Sequence, residues 1–233
     1  MSEPLEEQLQ ALAKDASTNC NVRGPSIVLA SEIAAHSEIL WLQHLSSTRL
    51  TGTADCLLSG ALSAIREGTA CVALGLVRPA LASLRLQVDL SLGWLYFKDH
   101  PVEWERVQKT GDGFKLKTEL FKYLGEVNDG FGTRFALLRE CKTRTQDDPY
   151  RLLSSHIHAQ SEATVPEVAK PSDVVAAHNI QDDYIKLQFE CSEFISDIMW
   201  SVYASRWASA PLELVAEVKC RFKTPGQIKT FFD

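Results

Sequence analysis

The chain has 233 residues, of which 45% are apolar and 23% charged, and its formal net charge is −6. That length carries an ample core, while the total charge shows no strongly basic face of the kind that gives high nucleic-acid affinity. The longest apolar run, "CVALGLV", is too short to span a bilayer, and the acidic, polar start "MSEPLEEQLQ" is no signal peptide. Six cysteines (Cys20, Cys56, Cys71, Cys141, Cys191, Cys220) are scattered with no CxxC pair. The expectation is therefore buried free thiols in a reducing cytoplasm, with no disulfide framework, no membrane segment, no metal and no cofactor.

In chain order the dominant period is helical. Residues 1–25 read as an N-terminal helical extension. "SIVLASEIAAHSEILWLQHL" follows Pro25, with Ser26 as N-cap and Ile27, Ile33, Leu40, Trp41 and Leu45 near one face. "TADCLLSGALSAIREGTACVALGL" is the next helix, rich in small residues. A third long helix, "RPALASLRLQVDLSLGWLYFKDH", starts with Pro79 in its first turn and is closed by Pro101. Shorter helices follow at "PVEWERVQKT" and "KLKTELFKYLGEV", separated by the breaker "GDG", and then at "GFGTRFALLRECKTR".

Residues 162–178 read as a mobile loop. The last long helix, "IQDDYIKLQFECSEFISDIMWSVYASRW", stacks Tyr184, Leu187, Cys191, Phe194, Ile195 and Ile198 on one stripe. Two short segments end the chain, split by Pro211 and Pro225. No alternating strand pattern and no repeat occur. The fold class expected is all-α, a bundle of four or more long helices with extra short ones, in a single domain over 1–233.

Charge is uneven along this layout. Glu162 to Asp197 holds eight acidic residues against Lys170 and Lys186, whereas Arg106 to Lys122 holds five basic residues against Asp112 and Glu119. A local positive patch is expected there. No phosphate-cradling glycine loop, no HExxH and no nucleophile elbow is present. The five tryptophans (Trp41, Trp94, Trp104, Trp200, Trp207) lie on apolar faces and read as core. Cys71 and Cys191 read as buried rather than nucleophilic.

Chemistry concentrates in "DDPYRLLSSHIHAQ", Asp147 to Gln160, with an arginine and two histidines within eight residues. Pro149 at the start places a helix from about Tyr150, capped by Asp147 or Asp148. Arg151 and His156 spell R-x4-H; Arg151 and His158 spell R-x6-H. Five positions on a helix rotate by about 140°, whereas seven return to nearly the same face roughly 10 Å along. His158 is the better partner on a regular helix, and His156 if the chain kinks at Ser154–Ser155.

"PYRLLSSHIHA" resembles the Y-R-x-L-S-x-x-x-H stretch of some HEPN-like helical proteins, through Tyr150, Arg151, Leu153, Ser154 and His158. Upstream, "LASLRLQVDLSLGWLYFKDHP" is similar to the family's long helix with an arginine and an acid four residues on, here Arg85 and Asp89. The resemblance implies a helical bundle that often dimerises. In active members it implies a metal-independent ribonuclease, with Arg151 on the scissile phosphate and His158 or His156 as general base or acid at the ribose 2′-hydroxyl. It also implies a toxin or effector role in phage defence. Leu152 stands where active members carry a polar residue. The alternative is a non-catalytic helical interaction module, a sensing or inhibitory subunit of a defence or toxin–antitoxin complex, which the acidic balance favours.

Overall fold

Proline and glycine mark several of the helix boundaries in this chain. The computed structural model describes residues 4–232. Among these it holds eleven α-helices and no strand, an all-α helical bundle. The helices are α1 (Leu5–Ala34), α2 (His36–Thr48), α3 (Cys56–Ala73), α4 (Val77–Phe97), α5 (Pro101–Thr110), α6 (Lys117–Val127), α7 (Phe131–Glu140), α8 (Pro149–Ile157), α9 (His178–Tyr203), α10 (Leu212–Arg221) and α11 (Pro225–Phe232). Among the described residues, no helix is long and apolar enough to cross a membrane.

Several boundaries follow directly from the breakers. Pro79 sits in the first turn of α4 and Pro101 opens α5, where a missing N–H costs nothing. Gly111 closes α5 at φ 72°, a left-handed cap that favours glycine. The start of α1 departs from expectation. It runs straight through Pro25, and the Ser26 hydroxyl donates back to Arg23 O at 2.8 Å instead of capping a new helix. Pro25 is exposed, so water can meet the carbonyl that it leaves without a donor. The break comes at Ala35, whose N–H closes on Ser31 O at 2.9 Å. Six positions on a helix turn by about 240°, so Ile27 and Ile33 do not share a face. Ile27, Trp41 and Leu45 are buried as expected, but Ile33 is 68% exposed and Ala34 takes the inward position.

The chain divides into two compact units. The first comprises the described residues up to Ala35, Ser63–Leu86 and Asp148–Cys191; the second comprises His36–Leu62, Gln87–Asp147 and the described residues from Ser192 onward. In the first, Ile27, Ile65, Val72, Leu84, Leu153, Tyr184 and Leu187 are buried. The expected loop 162–178 is not bare coil. It holds two 3-10 turns, Glu162–Thr164 and Pro171–Val174, and Ala176 N–H donates to Gly75 O at 2.9 Å.

The second unit has a core of Trp41, Leu45, Trp94, Phe97, Leu124, Ile198 and Trp200. Not all tryptophans are core: Trp104 is half-buried and Trp207 is 39% exposed. Nor are all thiols buried, since Cys56 and Cys220 are exposed and Cys71 is half-buried. Two kinds of buried carboxylate coexist in this unit. Glu193 accepts from the backbone N–H groups of Thr143 (2.9 Å) and Arg144 (3.0 Å), and it pairs with Arg144 and Arg221, each at 3.2 Å. Asp197 pairs with the same two arginines, at 2.6 Å for Arg221. Glu38, by contrast, is fully buried and neither carboxyl oxygen has a hydrogen-bond partner. Burial alone pushes its pKa up to about 8, so it is a neutral acid at pH 7.

Candidate functional site

Helix α8 is built as its sequence dictates. Asp148, not Asp147, is the N-cap, and its carboxylate accepts from Arg151 N–H at 3.3 Å. Pro149 takes the first helical position, and Leu153 is fully buried as the anchor. Tyr150 and Ser154 are four residues apart and share a face. Both meet Arg85 of α4. Arg85 Nη1 donates to Ser154 Oγ at 3.0 Å, Nη2 donates to the Tyr150 hydroxyl, and the guanidinium lies 3.5 Å from the Tyr150 ring centroid. Ser154 Oγ in turn donates to Tyr150 O at 2.9 Å.

The C-terminal end of α8 is equally definite. The helix stays regular to Ile157, with no kink at Ser154–Ser155. His158 occupies the C-cap position, and its N–H donates to Ser154 O at 3.0 Å. Ala159 follows at φ 47°, and Gln160 N–H returns to Ser155 O at 3.1 Å. This is a Schellman-type stop built on alanine where glycine is usual.

Arg151 and His158 are both exposed, on nearly the same face about two turns apart. Among the described residues, no hydrogen bond joins their side chains. The fold thus presents the R-x6-H pair without joining it within one chain. His156 is half-buried, and its pKa is lowered by burial and then by the charge of Arg78. Asp89, half-buried on α4, falls in the second unit's segment Gln87–Asp147.

Arg78 is the residue that the sequence reading missed. It sits in the first turn of α4, seven residues before Arg85 and therefore on the same face. Its guanidinium donates to the backbone oxygens of His156 and Thr164, each at 3.4 Å. The R-x6-R spacing on a helix already known to carry the supporting arginine was the available signal.

The expected positive patch between Arg106 and Lys122 is largely neutralised. Lys109 pairs with Glu105 at 2.5 Å, Lys115 with Glu103 at 2.9 Å and Lys122 with Glu126 at 3.9 Å. The α8 corner of the first unit differs. Arg78 and Arg151 are exposed there, and neither is in an ion pair with a carboxylate among the described residues. Three His, Cys, Asp or Glu side chains do not gather anywhere among the described residues in a way that could hold a metal ion. No protein-family model, no curated protein and no solved structure matches the chain.

Proposed function

We propose that the protein is a HEPN-like, metal-independent ribonuclease, working as a toxin or effector, whose working surface is α8. One observation carries this reading. Arg151 and His158 stand exposed and without a carboxylate on a short helix whose other motif residues, Tyr150 and Ser154, are pinned by Arg85. A rigid helix presenting an uncommitted cation and an imidazole is what phosphodiester transesterification requires.

In the proposed reaction His158 takes the proton of a ribose 2′-hydroxyl and O2′ attacks phosphorus. The P–O5′ bond breaks, and the 5′-oxygen leaves with a proton from solvent, giving a 2′,3′-cyclic phosphate and a 5′-hydroxyl end. Arg151 neutralises the charge that develops on the non-bridging oxygens. Because the two side chains share no hydrogen bond within one chain, the arginine of one copy works with the histidine of a second in this proposal. Cleavage of single-stranded RNA in EDTA tests the proposal. Arg151→Ala and His158→Ala should each abolish it while leaving helical circular dichroism unchanged, and full cleavage by both variants would sink it.

A second reading, the non-catalytic interaction module, is favoured by α1. Val22, Leu29 and Ile33 lie within three turns of one another and are 71%, 60% and 68% exposed. An apolar surface of that kind suits a protein partner. Wild-type protein that leaves RNA intact under all metal-free conditions would favour this module.

A further inference from the structure

Among the described residues, the arginine and histidine that a hydrogen bond joins at α8 are not the pair suggested by the motif. Arg78 reaches across from α4 and hydrogen-bonds the backbone oxygen of His156. The two are 78 residues apart in sequence, so no spacing rule could join them. Arg78 is exposed. A guanidinium has five N–H donors, and the two long bonds to carbonyl oxygens leave most of that capacity unused. Among the described residues no carboxylate neutralises it. His156, whose backbone oxygen Arg78 holds, is half-buried, hence partly shielded from water.

We infer that Arg78 and His156 form an anion-binding pair whose ligand is a phosphate group of single-stranded RNA. The assignment of the polymer rests on the ribonuclease reading of α8; the assignment of a phosphate does not. A guanidinium fork matches phosphate oxygens in shape as well as charge. The imidazole of the residue whose backbone Arg78 holds can supply one further donor. Burial, and then the charge of Arg78, hold the His156 pKa below its ordinary value. An arriving phosphate offsets the guanidinium charge and favours the imidazolium, so binding and protonation of His156 reinforce one another.

The test uses the full chain and two probes: inorganic phosphate, and a 2′-O-methylated oligouridylate that cannot be cut. Both should move the ring resonances of His156 in NMR spectra and raise the pH at which it titrates. Arg78→Gln retains N–H groups for the two carbonyl oxygens but removes the charge. It should weaken oligonucleotide binding about tenfold, with the melting temperature preserved. Arg78→Lys should recover part of that loss. Unmoved His156 resonances, or an Arg78→Gln protein that binds like wild type, would overturn the inference. If the pair binds phosphate but unmodified RNA is never cleaved, the ribonuclease reading fails and the anion site stands. If RNA is cleaved with Arg78→Gln unaffected, the reverse holds.

Discussion

In the second unit, Arg144 is buried and Arg221 half-buried, and Glu193 and Asp197 close on both of them. In the first unit, Arg78 and Arg151 are exposed; Arg78 donates to two backbone oxygens, and neither arginine is in an ion pair among the described residues. The same side chain does opposite work in the two places. A buried guanidinium needs its carboxylates, because an uncompensated charge away from water is costly. An exposed one without a carboxylate keeps its charge for a ligand. The contrast separates scaffolding arginines from candidate binding arginines without reference to any motif.

The sharpest way to break that comparison is Arg144→Ala. It removes one of two cations facing a pair of buried carboxylates and should destabilise the protein by about 3–5 kcal/mol, measured by urea unfolding. A loss no larger than that of an exposed arginine would mean that the two classes are not distinct.

Glu38 sharpens the comparison from the carboxylate side. Its pKa is raised from 4.5 to about 8 in the fold, so the folded state holds a proton that the unfolded chain releases. Its contribution to stability is therefore fully present below about pH 4.5 and is lost as the pH rises toward 8, at about 1.4 kcal/mol per pH unit. Glu38→Gln should flatten that slope. Urea midpoints at pH 5, 7 and 9 check it, and equal pH dependence in variant and wild type would show that Glu38 is not the cause.

A smaller effect is expected at Arg85, which is half-buried and works between the two extremes. Arg85→Ala removes the stacking on Tyr150 and the bond to Ser154. It should cost about 2 kcal/mol and speed amide exchange in α8 more than in α10. Uniform exchange rates would deny Arg85 its role in pinning α8.

Much of this was legible beforehand. The prolines announced the starts of α4, α5 and α8, and the 3.6-residue period announced the stripe from Tyr184 to Ile198, all of it buried. The cap–proline signal placed α8 to within a residue. What was misread depended on long-range contacts. Pro25 looks like a helix start, but an exposed proline inside a 30-residue helix is tolerated once water meets the freed carbonyl. The basic run from Arg106 to Lys122 looks like a patch until Glu103, Glu105 and Glu126 close on it.

By itself, then, the sequence determined the helical class, most helix boundaries and the helix that carries Arg151, His156 and His158. These depend on local periodicity and capping, which act over a few residues. Only the tertiary structure decided that Tyr150 and Ser154 meet Arg85 and that Arg78 reaches the backbone of His156. Those contacts join residues 65 to 78 positions apart, and no local pattern encodes which side chains meet across such a loop.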